Sequence, residues 1–227
     1  IECGAMYNPE HSMEEQVLNE TAFVNGIAAM SNSGAYGNTK IAAGIVGSAP
    51  LLIGDKVANI LDQHLSIASK RFKGIRSQAA MHPDGTIPVS RARPIEGVYV
   101  NDMFQQGFSH LESRNLSFEA WCYHPQLPQL IELAKKFPNT SIILNHFGGP
   151  LGVGSFSNKE DETYNFWEKQ IIELSKCENV VAKLGGIAME INGFDWHKNN
   201  SAPSGNELIN RTKRYYDKTL NLFGIDR

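Results

Sequence analysis

Short apolar runs alternate along the chain with longer stretches in which apolar residues recur every three or four positions. The runs contain β-branched residues, and each is short enough for a strand that is buried on both faces, which takes roughly four to eight residues. We therefore predict six strands, at residues 1–7, 40–47, 72–77, 116–123, 142–144 and 179–186.

The stretches between these runs have the spacing of amphipathic helices. In residues 54–70, for example, Val57, Ile60 and Leu61 fall on one helical face. The other predicted helices lie at residues 9–30, 101–114, 127–137, 160–176 and 204–223. Because strand and helix alternate throughout, the pattern favours a parallel α/β sheet with right-handed crossovers.

The absence of a glycine-rich phosphate loop separates the two common α/β architectures. The chain contains neither GxGxxG nor GxxxxGKS, the motifs with which doubly wound folds bind nucleotides. We predict instead one TIM (β/α)8 barrel domain over residues 1–227. It is incomplete, because six of its eight strands are visible and one more is expected beyond each end.

Composition narrows the classes of partner and the compartment. A formal charge of −3 and a hydrophobic content of 41% are those of an ordinary globular protein, without a nucleic-acid surface. Apolar runs fall short of the roughly 18 residues that a membrane helix needs. Three scattered cysteines do not form a disulfide framework. We expect a cytoplasmic protein with a small-molecule substrate. Its oligomeric state is left open, and a homo-oligomer is one alternative.

The first candidate for chemistry is His146, which follows the apolar run at residues 142–144 and precedes Gly148, Gly149 and Pro150. A histidine at the carboxyl end of a buried strand is where a barrel presents a metal ligand or a general base. The alternative is that His146 only caps the strand with a hydrogen bond.

Other polar and aromatic residues occupy the carboxyl ends of neighbouring strands. These candidates for substrate binding are Arg76, Trp121, Tyr123, His124 and Lys183. Arginine can hold a carboxylate in two hydrogen bonds, and aromatic rings can stack on a flat or sugar ring. Each also has a structural alternative: an ion pair for the two cations, core packing for Trp121 and Tyr123, and a cap on the solvent side for His124.

Four motifs, ILNHFGGP, KGIRS, SFEAWCYHPQL and VVAKLGG, resemble those of the amidohydrolase-related superfamily (amidohydrolase 2). They are similar to its lactonase-like branch of predicted TIM-barrel metal-dependent hydrolases, which includes fuconolactonase-like and pyrone-dicarboxylate lactonase-like enzymes. The resemblance runs the length of the chain. It implies an eight-stranded barrel that hydrolyses a lactone or another cyclic ester.

The resemblance also implies roles for individual residues. His146 corresponds to the strand-end histidine that ligates a divalent metal, zinc or manganese, or orients the substrate carbonyl. Arg76 corresponds to a contact with the substrate carboxylate, and Tyr123 and His124 to the pocket wall. The His-X-His pair of the family's first strand and the acidic residue of its last strand are expected outside residues 1–227.

Three functions are compatible with this reading. The first is a hydrolase that opens a lactone of a carboxylated or sugar-derived substrate with an activated water. The second is a metal-dependent decarboxylase of the same superfamily, which would release carbon dioxide. The third is a non-catalytic barrel that binds a small molecule and has lost its metal ligands.

Overall fold

Five of the apolar runs form one sheet in the computed structural model of the chain, which describes residues 1–91 and 93–227. The strands follow one another across the sheet in chain order, and the pairs at both edges are parallel. They are β1 (Ile45–Ser48), β2 (Phe72–Gln78), β3 (Ser117–Trp121), β4 (Ile142–Leu144) and β5 (Val180–Ala182). The alternation seen in the sequence therefore produces the predicted parallel α/β sheet.

Helices lie between the strands and after them. They are α1 (Met13–Asn32), α2 (Val57–Ala68), α3 (Asp102–Phe108), α4 (Leu127–Lys136), α5 (Glu160–Ser175) and α6 (Gly205–Phe223). Ser12 begins α1 with a capping box, in which its side chain and that of Glu15 each accept the other's backbone N–H. Ser204 is the N-cap residue of α6, as the sequence predicts. In the described part of the chain, no helix is both long and apolar enough to cross a membrane.

The predicted strand at residues 1–7 is wrong. Gly4 and Met6 have φ angles of 73° and 60°, which interrupt an extended conformation. The buried Glu20 carboxylate instead accepts the backbone N–H groups of Cys3 and Ala5, at 3.0 and 2.8 Å. One backbone bond, from Glu2 N to Val46 O, reaches β1. Five strands, not six, are thus present among the described residues.

The chain contacts divide into two compact units, and the first comprises residues 1–77 and 101–119. The rings of Phe104, Phe108 and Phe118 pack together in its core, with centroids 5.0 to 6.2 Å apart. His64 is fully buried in the same unit, where Nε2 donates to Ser48 O and Nδ1 accepts from the Thr21 hydroxyl. This histidine is a core residue.

The second unit comprises residues 78–100 and 120–227. Trp167 of α5 packs edge-on against Tyr215 of α6, and its indole N–H donates to Phe147 O at 2.6 Å. A second apolar cluster forms around Tyr123, Leu151 and Ile191. This unit holds β4 and β5 and most of the predicted site residues. That the whole chain is one barrel domain stays a prediction.

Candidate functional site

The segment after β4 has an unusual backbone. Asn145 is extended, and then His146, Phe147, Gly148 and Gly149 all have positive φ angles, from 53° to 68°. Such angles are uncommon for residues other than glycine and persist only where the surroundings enforce them. Here the N–H groups of Gly148 and Gly149 donate back to the carbonyls of Asn145 and His146, at 2.9 and 3.0 Å. This turn holds the half-buried His146 at the carboxyl end of the strand.

The His146 ring is oriented by its contacts within the second unit. Nδ1 lies 3.2 Å from Gly185 O. Because a carbonyl oxygen can only accept, Nδ1 carries the proton, and the neutral ring has its lone pair on Nε2. The Trp121 ring lies edge-on at 5.2 Å, and Gly186 packs directly behind the imidazole. The strand-end position predicted for His146 thus comes with a defined tautomer.

Trp121 and Tyr123 lie beside His146 in one aromatic wall. Their rings meet edge-on at 5.9 Å. Tyr123 is buried, its hydroxyl donates to Pro88 O at 2.6 Å, and burial raises its pKa. Trp121 is half-buried and is the member of the pair that touches His146. Both aromatic candidates therefore lie beside His146, with Tyr123 more deeply packed, and their contact with substrate stays a prediction.

Lys183 also lies at this end of the sheet. It follows β5 directly, and its backbone N–H donates to Leu144 O, at the end of β4. Its side chain is half-buried. The backbone therefore brings Lys183 to the strand end from which His146 emerges.

His124 occupies a separate environment. Its backbone N–H donates to Gly149 O, and its ring Nδ1 accepts the N–H of Leu151, both at 3.2 Å. Burial, with a smaller contribution from nearby His82, lowers the pKa of His124 from 6.5 to about 3. Its ring contacts Phe156 and Phe166. His124 therefore accepts a loop N–H from a buried position and is not a cap on the solvent side, and its role in substrate binding stays a prediction.

Arg76 lies in the first unit, where it pairs with a residue that the sequence reading did not single out. Its Nη2 and Nε lie 2.8 and 3.2 Å from one oxygen of Glu119, and both side chains are largely buried. The feature of the sequence that could have identified Glu119 is its position as an acid within the otherwise apolar run of β3. The ion-pair alternative for Arg76 is therefore present, while a contact with substrate stays a prediction.

Comparison with known proteins gives relatives in bacteria. Protein y4mH of Sinorhizobium fredii (strain NBRC 101917 / NGR234), described as uncharacterized, is 30% identical over 191 residues, which are 81% of this chain and 53% of y4mH. The chain spans about half the length of this curated relative.

Solved structures share the fold. A crystal structure of an amidohydrolase from Burkholderia multivorans with bound HEPES has a TM-score of 0.63 and 19% identity, over 88% of this chain and 61% of that chain. A second, with bound zinc, has a TM-score of 0.63 and 20% identity, over 90% and 60%. This likeness confirms the predicted barrel-type α/β fold, whose sheet is not closed here.

Family membership follows from a broader match. The profile of the amidohydrolase family covers residues 21–227, which include every strand of the sheet and the turn that holds His146. The resemblance seen in the four sequence motifs is thus confirmed, and the chain belongs to the amidohydrolase family.

Proposed function

We propose that the chain carries part of a hydrolase site in which His146 acts on a lactone or similar cyclic ester of a carboxylated or sugar-derived substrate. The observation that carries this proposal is the hydrogen bond between His146 Nδ1 and Gly185 O. It leaves the lone pair of the neutral ring on Nε2, at the end of a buried strand. A lone pair in that position can accept a proton from water or bind a metal ion.

The surroundings of His146 support a small, flat substrate. Trp121 stands edge-on to the imidazole and offers a half-buried aromatic face against which a lactone ring can lie. Lys183 follows the neighbouring strand and brings a positive charge suited to a carboxylate. Arg76 belongs to the first unit, where Glu119 already balances its charge.

A divalent metal ion is compatible with His146. Histidines that bind metals usually donate their other ring N–H to a carbonyl or carboxylate, as His146 does to Gly185. Zinc or manganese bound there would lower the pKa of a coordinated water toward ~7. No group of three or more His, Cys, Asp or Glu side chains suited to a metal lies within residues 1–91 and 93–227. The further ligands would be the His-X-His pair and the strand-end acid that the family resemblance implies.

The chemistry that we assign to the site is ester hydrolysis. Water adds to the ring carbonyl, the ring C–O bond breaks, and the proton from water ends on the departing ring oxygen, which gives a hydroxy acid. His146 takes the proton of the attacking water on its Nε2 lone pair, and the resulting imidazolium can then donate that proton to the departing ring oxygen. The left-handed turn fixes the ring before substrate binds, so no reorganisation is needed.

Replacement of His146 with Asn tests this proposal. We expect kcat for lactone opening to fall by roughly 100-fold or more, because general acid–base groups contribute about that factor. Activity is measured on a panel of sugar-derived and carboxylated lactones, and circular dichroism confirms that the variant folds.

The matched control is His197→Asn, which changes an exposed histidine in the same unit. It should retain full activity. A His146→Asn protein with near-normal kcat would remove His146 from the mechanism. Release of carbon dioxide in place of a ring-opened acid would instead identify the decarboxylase alternative.

A further inference from the structure

A cavity lies in the unit that contains His146, away from the residues proposed for catalysis. It has a volume of about 450 Å³, within the range of small-molecule sites. His82 and His124 line it, together with Phe156, Phe166, Lys159 and Glu162. The lining does not include His146, Trp121, Tyr123 or Lys183.

Both histidines of this cavity are fixed as hydrogen-bond donors. Nδ1 of His82 accepts the backbone N–H of Asp84 at 3.1 Å, and Nδ1 of His124 accepts that of Leu151 at 3.2 Å. Because Nδ1 accepts in each ring, the proton of the neutral imidazole is on Nε2. Neither Nε2–H has a hydrogen-bond partner among the residues that the structure describes. Burial keeps His124 neutral near pH 7.

This tautomer argues against a metal ion in the cavity. A metal at Nε2 would need the proton on Nδ1, where it would oppose the N–H groups of Asp84 and Leu151. The cavity therefore suits a ligand that presents a hydrogen-bond acceptor. This is the opposite of His146, whose Nδ1 donates and whose Nε2 bears the lone pair.

The aromatic side chains that line the cavity favour an aromatic ligand. The ring of Phe156 lies 5.2 Å from His82 and 4.9 Å from His124, at 76° to each, so one phenyl group contacts both imidazoles. Phe166 forms a second aromatic surface, 5.7 Å from His124. A planar ring can pack between such surfaces while its polar substituent reaches the Nε2–H donors.

The charged side chains at the rim of the cavity indicate which polar group the ligand carries. Lys159 and Glu162 are both exposed where α5 begins, so the cavity carries one positive and one negative side chain besides its two histidines. Lys159 and the two N–H donors favour a carboxylate, and Glu162 disfavours a ligand with a second negative charge.

The cavity is preorganised by hydrogen bonds between its loops. The Asp84 carboxylate accepts the hydroxyl and backbone N–H of Thr86, and also the backbone N–H of Ser155 at 2.7 Å. Thr163 of α5 donates to Leu151 O, the residue whose N–H holds His124. The loop that carries His82 and the loop that carries Phe156 are thus tied together before any ligand arrives.

We propose that this cavity binds an aromatic monocarboxylate, with its carboxylate on His82 Nε2–H and His124 Nε2–H and its ring between Phe156 and Phe166. The ligand touches His124, which is bonded to Gly149 and Leu151 on the segment that follows His146. The site is therefore placed to respond to a metabolite without using the residues proposed for catalysis.

Titration of the purified protein with sodium benzoate by isothermal calorimetry tests the proposal. We expect saturable binding, weakened about tenfold or more in His82→Phe, since a charge-assisted hydrogen bond contributes at least that factor. His82→Phe keeps an aromatic ring and removes the donor. Phe166→Ala, which alters only the half-exposed wall, should also weaken binding. His197→Phe, outside the cavity, is the matched control and should bind as the unchanged protein does.

Three outcomes of the binding measurements would overturn the proposal. These are no saturable binding of benzoate, equal affinity in His82→Phe and His197→Phe, and binding of benzylamine as tight as that of benzoate. Nitrogen-15 spectra of labelled histidine provide a second readout, in which benzoate should shift the Nε2–H signals of two rings in the Nδ1-accepting tautomer. Two rings with the proton on Nδ1 instead would remove the donors on which the proposal depends. Neither measurement involves lactone hydrolysis, so both are independent of the role of His146.

Discussion

At the scale of single residues, three histidines illustrate how a backbone contact decides what a side chain can do. Gly185 O accepts from Nδ1 of His146, and backbone N–H groups donate to Nδ1 of His82 and His124. A carbonyl partner places the proton on Nδ1, and an N–H partner places it on Nε2. His146 therefore has a lone pair on Nε2, whereas His82 and His124 have a proton there. Identical side chains thereby acquire different chemistry.

Gly186 is the residue on which the orientation of His146 depends most directly. Its φ is 75°, and a Cβ atom there would lie 2.3 Å from His146 Nδ1. We expect Gly186→Ala to displace the imidazole, break its bond to Gly185 O and reduce kcat/KM by about tenfold or more, as a misplacement of about 1 Å can.

Steady-state kinetics measure this effect, and Gly185→Ala is the matched control. A Cβ atom at Gly185 meets no other atom within 4 Å, and the carbonyl that holds His146 remains. The loss there should be much smaller. Equal losses in the two variants would mean that the strain is in the loop and not at the His146 ring.

At the scale of secondary-structure elements, close packing explains why some helical glycines are needed. In α3, Gly107 lies against the 3-10 turn Leu51–Lys56, and a Cβ atom there would lie 2.3 Å from Leu51 O. In α1, Gly26 has no atom within 4 Å of the corresponding position. The two glycines therefore have the same intrinsic cost in a helix but different surroundings.

Alanine substitution at these two positions should have opposite effects on the free energy of unfolding. We expect Gly107→Ala to lower it by about 2 kcal/mol, because Leu51 and α3 must move apart. Gly26→Ala should raise it by about 1 kcal/mol, since alanine loses less backbone entropy in a helix. Urea unfolding measures both, and a stabilised Gly107→Ala protein would contradict the close contact.

At the scale of the whole molecule, each compact unit contains a buried histidine that must stay neutral. Burial lowers the pKa of His64 in the first unit from 6.5 to about 4, and that of His124 in the second to about 3. In the unfolded chain both rings take up a proton near pH 6.5. The unfolded state therefore binds more protons below that pH, and acid destabilises the fold.

We predict that the contribution of these two histidines to stability is nearly constant above about pH 7.5 and falls as the pH is lowered through 6.5 toward 4. His64 alone should account for about 3 kcal/mol of that loss, at about 1.4 kcal/mol for each pKa unit. Urea unfolding at several pH values measures the slope. His64→Gln should flatten it, whereas His197→Gln, at an exposed position, should leave it unchanged. A slope unaffected by His64→Gln would show that this ring does not control acid stability.

The amino-acid sequence by itself determined the order of the elements and the location of each strand of the sheet. Alternation of apolar runs and amphipathic stretches is a local property, so it located all five strands of the sheet and the start of α6. It also placed His146 at the end of β4. It failed at residues 1–7, where a buried carboxylate 15 or more residues away takes the backbone N–H groups.

Only the tertiary structure decided what the candidate residues can do. The tautomer of His146 depends on a carbonyl 39 residues away, and the charge of Arg76 on an acid 43 residues away. The cavity of His82 and His124 joins the segment after β2, the segment after β3 and the start of α5. Hydrophobic spacing determines which face of an element is buried. It does not determine which distant polar groups meet there, because that depends on how the elements pack.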